Sequence, residues 1–171
     1  MSPRRRGPTT AGTTLLTVEG VIAADDPRAA DVVALLTAHL ALMNELSPPE
    51  EVHALDVDSL VDPAITFVSY REDGALLAVG ALKDLGGGHA ELKSMHTSAA
   101  ARGRGVGGAV LRHLLDLARE RGFTRVSLET GSPEGFAPAR GLYARHGFTA
   151  CGPFGDYAPS PWSTFMTMPL A

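Results

Sequence analysis

Residues 95–108 read Met95-His96-Thr97-Ser98-Ala99-Ala100-Ala101-Arg102-Gly103-Arg104-Gly105-Val106-Gly107-Gly108: a strand end, a short polar turn, then glycines opening an apolar-periodic helix. That layout can hold an anion. The first N–H groups of a helix lack intrahelical acceptors, and the helix dipole favours negative charge beside them. Gly103, Gly105, Gly107 and Gly108 let a phosphate approach backbone that a Cβ would shield. Arg102 and Arg104 add cations, each able to form charge-assisted bonds worth about 1.5–3 kcal/mol when partly shielded from water. A glycine-rich helix start in a plain turn has the same outline, but four glycines and two arginines converging on one helix start favour the anion site.

Two other side chains offer proton chemistry. Glu129 falls near the C-terminal end of a central apolar strand, where a charge is costly unless wet or paired. His96 is the other, since an unperturbed histidine has a pKa of about 6.5, which suits a base. Both also read as solvated or salt-bridged groups. Taken literally, Gly103-x-Gly105-x-x-Gly108 with Glu129 downstream fits a dinucleotide fingerprint. That fingerprint opens a strand-helix-strand series, whereas here a meander of three strands precedes it. A Walker lysine is missing, which excludes the phosphate loop of nucleoside triphosphatases.

The elements that must position these groups follow from periodicity. Residues 13–20 read as a first strand. Asp26-Pro27 introduces a helix carrying Val33, Leu36, Leu40, Met43 and Leu46, and Ser47-Pro48-Pro49-Glu50 reads as a capping box opening a second helix to about Leu60. Strands at 65–70 and 75–82 are joined through Glu72-Asp73-Gly74, a hairpin signal, and a strand at 89–96 follows Gly86-Gly87-Gly88. The glycine-started helix carries Val106, Val110, Leu114 and Leu117 on one face and ends at Gly122. A strand at 125–130, a short helix from Pro138 to Gly147, and strands at 148–154 and 164–170 complete the chain.

Composition narrows the function classes. A chain of 171 residues, 44% hydrophobic and 20% charged, is expected to form one domain over residues 13–171, after a disordered basic tail at 1–12. Arg4-Arg5-Arg6 has no apolar segment after it, so an export signal is not expected, and no stretch reaches membrane-spanning length; the expected location is cytoplasmic. A net charge of −4 argues against nucleic acid as a partner. The single cysteine, Cys151, excludes an internal disulfide and reads as a buried structural thiol, and the six histidines show no metal-ligand spacing, so no metal is expected.

Arg102-x-x-Gly105-x-Gly107 matches the Arg/Gln-x-x-Gly-x-Gly/Ala motif of the GNAT superfamily of acetyl-CoA-dependent N-acetyltransferases, and Leu142-Tyr143 followed by Gly147-Phe148 resembles that superfamily's Leu-Tyr-x-x-x-Gly-Phe signature. The order of elements is similar as well, so the resemblance covers roughly residues 13–171. Ser47-Pro48-Pro49-Glu50 and Phe136-Ala137-Pro138-Ala139-Arg140 look like segments of a bacterial acetyltransferase subgroup.

The resemblance implies an α/β (α+β) fold with a mixed, mostly antiparallel central sheet of about seven strands flanked by about four helices. It implies acetyl-CoA as co-substrate, its pyrophosphate on Arg102, Gly103, Arg104, Gly105, Val106, Gly107 and Gly108, and its pantetheine arm along the backbone of Met95, His96 and Thr97. The strand holding that arm is usually parted from the next by a bulge; apolar residues at both Leu92 and Met95 break alternation and are compatible with one. A backbone N–H freed there would hold the thioester carbonyl, a contact worth about 2.7–4 kcal/mol in barrier.

The implied reaction is direct attack by the amine of a small polar acceptor (an amino acid or an amine) in a ternary complex. Tyr143 matches the tyrosine that serves as general acid for the thiolate, against the plainer reading of a core aromatic. Glu91, at a position where many members carry a carboxylate, and Glu129 rank ahead of His96 as base; a water relay is the alternative. The acceptor is expected among Met43, Asn44, Glu45, His53, Asp156, Tyr157 and Trp162, with Arg140 as a holder of an acid group or a helix-face salt bridge. One departure is Phe136, where many members have a coenzyme-contacting asparagine; Ser132 is the candidate substitute. The competing readings are a non-catalytic acyl-CoA-binding regulator on the same fold and a nicotinamide-binding oxidoreductase. Habit in the superfamily adds the expectation of a homodimer.

Overall fold

A computed structural model describes residues 20–53 and 56–171. The expected tail at 1–12 and, apart from Gly20, the expected strand at 13–20 lie outside the described residues. Among those described, seven strands form one sheet in the order β1-β2-β3-β4-β5-β7-β6: β1 (Val21–Ala24), β2 (Ile65–Glu72), β3 (Ala75–Gly86), β4 (His89–Thr97), β5 (Arg125–Gly131), β6 (Thr149–Cys151) and β7 (Ser163–Pro169). Every neighbouring pair is antiparallel except β4 and β5.

The β2–β3–β4 meander is set by two tight turns. Glu72 pairs with Ala75 across Asp73-Gly74, and Gly86 pairs with His89 across Gly87-Gly88. All four turn residues have positive φ, which matches the right-handed twist of the flanking strands and explains the glycines. Along β3 the side chains alternate between two cores, as the pleat requires. Ala78 and Leu82 face a cluster built by α2 (Val106–Glu120), with Val110, Leu111 and Leu114 at its centre. Val79 and Ala81 face a second cluster with Phe67, Leu60 and, from α1 (Ala30–Leu46), Val32 and Leu36. The helices α1 and α2 therefore cover opposite faces.

Three α-helices are present among the described residues, the third being α3 (Ala137–Arg145), rather than about four. The expected second helix from Ser47 to Leu60 does not form; short 3-10 turns stand at Pro49–Glu51 and Ser59–Val61. The cause is the Pro48-Pro49 pair. A residue before proline is driven out of the helical region, and Ser47 (φ −141°, ψ 152°) and Pro48 (φ −55°, ψ 143°) are both extended. Ser47 accordingly closes α1, its N–H donating to Met43 O at 2.9 Å, and no capping box is made.

The face of α1 also differs from the expected one. Leu40 is exposed, whereas Val32, Leu36, His39, Met43 and Leu46, at spacings of three and four, form the inward face. A histidine sits where an apolar residue was sought.

The parting of β4 from β5 creates the working surface. They pair over four positions only, from His89↔Arg125 to Leu92↔Leu128. Beyond that, β4 stays with β3 and β5 stays with β7, so the ends of β4 and β5 diverge. The expected bulge is at this point. Ala81 faces Lys93 and Val79 faces His96, two steps on β3 against three on β4. Ser94 absorbs the extra residue at φ +55°, a conformation uncommon outside glycine. Gly80 makes room opposite: a Cβ there would come within 2.8 Å of Met95 Sδ and Val110 Cγ1.

Candidate active site

Two cavities meet where the strands part. The larger, about 450 Å³, runs from the start of α2 along the end of β4, between α1 and α3. Met95, His96, Thr97, Arg102, Gly103, Gly105, Val106, Gly107 and Gly108 all line it. Gly105 is the N-cap of α2 at φ +78°, and Gly103 has φ +77°. Neither would meet an atom within 4 Å on gaining a Cβ, so their role is backbone conformation and open space rather than relief of an internal clash. No side chain caps α2, which leaves its first N–H groups directed at the cavity mouth.

Arg104 departs from its expected place. Its guanidinium makes two bonds to the Glu72 carboxylate, at 2.8 and 2.9 Å, and does not line the cavity. Arg145, which the motif does not include, lines the cavity with Arg102. The signal for it was present: Pro138, Leu142 and Arg145 share one face of α3, at spacings of four and three.

The smaller cavity, about 100 Å³, lies between the diverging strands. Glu91, Glu129, Lys93, His53, Tyr157 and Met43 are among its lining residues. His39, Met43, Met95, Phe136, Ala139 and Tyr143 line both cavities and form the junction between them. Asn44, Glu45, Asp156 and Trp162 line neither; the first three are exposed and Trp162 is 38% exposed. Arg140 forms no salt bridge among the described residues and lines neither cavity. It donates to the carbonyls of Gly131 (2.7 Å) and Pro133 (3.1 Å), tying α3 to the end of β5. The hydroxyl of Ser132 is 2.8 Å from Thr164 Oγ1 and lines neither cavity, while Phe136 lies over Gly131 and lines both.

Electrostatics separates the two candidate bases. Glu91 is only 4% exposed and is already engaged: Tyr157 Oη donates to Oε1 at 2.5 Å and Lys93 Nζ at 3.1 Å, with Lys93 Nζ also 2.9 Å from Tyr157 Oη. Glu129 makes no ion pair among the described residues. Burial pushes its carboxyl above the ordinary carboxylate range, against the opposing pull of the Ser163 hydroxyl and the charges of His53 and Lys93. Tyr143, 7% exposed, stacks edge-on against Phe148, and burial first, then the Glu129 charge, raise its phenol well above the usual value.

His96 is held by a residue that the spacing of apolar positions did not reveal. Its Nδ1 lies 3.0 Å from Nδ1 of His39. Burial, then the facing His96, lowers His39 to about 4; burial, then Arg102, lowers His96 to about 4. Both rings are neutral at pH 7, which makes His96 a weak base there. Cys151 is half-buried rather than buried, with its thiol pushed up by desolvation. No group of three or more potential metal ligands occurs among the described residues, and no described helix is long and apolar enough to cross a membrane.

Fold and site together are those of an acyltransferase. The chain matches the acetyltransferase (GNAT) family over residues 33–148. It is 48% identical over 146 residues to the uncharacterized N-acetyltransferase YsnE of Bacillus subtilis (strain 168), an alignment spanning 85% of this chain and 97% of that one. It is 37% identical over 150 residues to the IAA acetyltransferase of Azospirillum brasilense, covering 87% and 97%. A crystal structure from Klebsiella pneumoniae described as an acyl-CoA N-acyltransferase superposes with a TM-score of 0.74 at 27% identity, over 89% of this chain and 98% of that one. The chain belongs to the GNAT acetyltransferase family and is an acyltransferase.

Proposed function

We propose that the protein moves the acetyl group of acetyl-CoA to the amine of a small polar acceptor, by direct attack with both substrates bound. The larger cavity suits the coenzyme. The uncapped start of α2, the open backbone at Gly103 and Gly105, and Arg102 and Arg145 offer donors and positive charge for a pyrophosphate. The pantetheine arm would follow Met95, His96 and Thr97 towards the junction. The smaller cavity, lined by Glu91 and Glu129 against one lysine, suits a cationic acceptor.

The observation that carries the reading is that Tyr143 lines both cavities, within the field of the half-buried Glu129 carboxyl, whose charge raises the phenol's pKa. Glu129 takes the proton of the acceptor ammonium, and its raised pKa suits that exchange. The freed nitrogen bonds to the acetyl carbon as the C–S bond breaks, and its remaining excess proton passes to the Tyr143 oxygen once that group has protonated the thiolate. Tyr143, kept protonated by burial, delivers a proton to the departing thiolate. Glu91 is a positioning residue, clamped by Lys93 and Tyr157. A purely regulatory coenzyme-binding role would give no use to Tyr143 at the junction or to Glu129 in the smaller cavity.

The test is release of free coenzyme A thiol from acetyl-CoA with a panel of amines, amino acids and IAA. Release that depends on an amine or amino acid supports the reading. Coenzyme binding without acceptor-dependent release, or release with IAA alone, overturns it.

A further inference from the structure

The acceptor cavity contains one lysine, and that lysine is already neutralised. The side chains of Lys93 and Glu91 are 9% and 5% exposed, and their ion pair at 3.1 Å is closed into a triangle by Tyr157 Oη, 2.9 Å from Nζ and 2.5 Å from Glu91 Oε1. The Lys93 ammonium also stands 5.6 Å from the centre of the Tyr157 ring. Breaking a buried pair of this kind to give one partner to a ligand leaves the other charge uncompensated, which is strongly unfavourable. Lys93 is therefore committed within the protein.

The arginines near the junction are committed or face elsewhere, which leaves His53 and His39 as the other basic side chains on the wall of the smaller cavity. Arg140 is bound to the carbonyls of Gly131 and Pro133. Arg102 and Arg145 line only the larger cavity. His39, which lines both, titrates near 4 and is neutral at pH 7. Glu129 is left as the carboxylate lining the smaller cavity without an ion-pair partner among the described residues. Its environment rewards one positive charge and offers no arginine or lysine to a negative one.

We infer that the acceptor is a small monocationic amine that carries no acid group, recognised by Glu129, and that the Lys93–Glu91–Tyr157 triangle excludes amino acids from the same cavity. The inference rests on the amine-acceptor reading above and narrows it. An α-amino acid would bring its carboxylate beside Glu91 and Glu129 with no uncommitted arginine or lysine to receive it, so rejection comes from desolvation of that carboxylate and like-charge repulsion.

The test compares matched pairs that differ only by the carboxylate: isobutylamine with valine, isoamylamine with leucine, and histamine with histidine. Thiol release from acetyl-CoA is measured with the full-length protein at pH 7.5. The expected result is at least tenfold higher kcat/KM for the decarboxylated member of each pair that turns over. Equal or better turnover of the amino acids would overturn the inference while leaving the amine-acceptor reading intact; release with neither class would overturn both. A second arm uses Glu91→Gln, which keeps an oxygen for Tyr157 but frees the Lys93 charge. The ratio of amine to amino acid kcat/KM is expected to fall at least tenfold in that variant. An unchanged ratio in folded Glu91→Gln protein would remove the triangle as the selectivity device.

Discussion

The imidazoles of His39 and His96 meet Nδ1 to Nδ1 at 3.0 Å, joining the middle of α1 to the end of β4 across the mouth of the junction. One ring must donate and the other accept. A proton added to the accepting Nδ1 would put two N–H groups face to face, whereas one added to the donating ring goes to its Nε2 and leaves the contact in place. The contact holds the wall of the larger cavity in a form that acid disrupts.

Stability is therefore expected to fall on acidification from about pH 6.5 to about 4. With folded pKa values near 4 against about 6.5 unfolded, the unfolded chain binds more protons throughout that window. The stabilisation is complete above 6.5 and lost as pH drops through the window. His89, also lowered by burial, adds in the same sense, while Glu129, raised, opposes it. A His39→Leu/His96→Leu double variant should show a flatter dependence of Tm on pH between 7 and 4. Parallel curves for the two proteins would dismiss the pair as the source.

Tyr143→Phe is expected to lower kcat by about 10²-fold or more, the usual scale of a lost general acid, with coenzyme affinity nearly intact. The ring stays packed on Phe148, so the melting temperature should hold. Wild-type turnover in the variant would retire Tyr143 as the proton donor.

Gly105→Glu should abolish coenzyme binding. The residue has φ +78°, where an L side chain costs about 1–2 kcal/mol, and the new carboxylate would stand at the mouth of the anion site. Calorimetric titration with coenzyme A reads the effect; undiminished affinity would remove the pyrophosphate from the start of α2.

The two arginines should separate in the same titration. Arg104→Ala, which loses only the contact to Glu72, is expected to leave coenzyme affinity within about twofold. Arg145→Ala, exposed but lining the cavity, should weaken it by about 0.5–1.5 kcal/mol, roughly two- to twelvefold. Equal losses would return Arg104 to the site.

Leu114→Ala serves as the stability reference. Leu114 is fully buried between α2 and the sheet, and its truncation should cost about 2–5 kcal/mol in chemical denaturation. A cost under 1 kcal/mol would mean that this core is looser than its packing indicates.

Local patterns carried much of the fold. The Asp73-Gly74 turn, the glycines before α2, the apolar stripe of that helix and the Leu142-Tyr143 to Gly147-Phe148 segment are all legible in the chain, because each depends on residues close in sequence. The broken alternation at Leu92 and Met95 likewise announced the bulge now seen at Ser94. Local signals also misled where two conflicted. Ser47 and Glu50 resemble a capping box, but the prolines between them impose extended backbone and leave only a 3-10 turn.

Long-range partners decided the rest. Arg104 and Arg145 have the same chemistry, and only the proximity of Glu72 to one and of the cavity to the other distinguishes them. The carboxylates Glu91 and Glu129 are alike in sequence, yet Tyr157, 66 residues from Glu91, and Lys93 occupy one and leave the other without a counter-ion among the described residues. His39 and His96 are 57 residues apart and become a pair only when α1 lies across β4. The sequence by itself determined the element types and the glycine cradle, since backbone conformation and periodicity are local properties. Tertiary structure alone decided which charges are paired and which are free, because electrostatic partners are chosen by distance in space rather than along the chain.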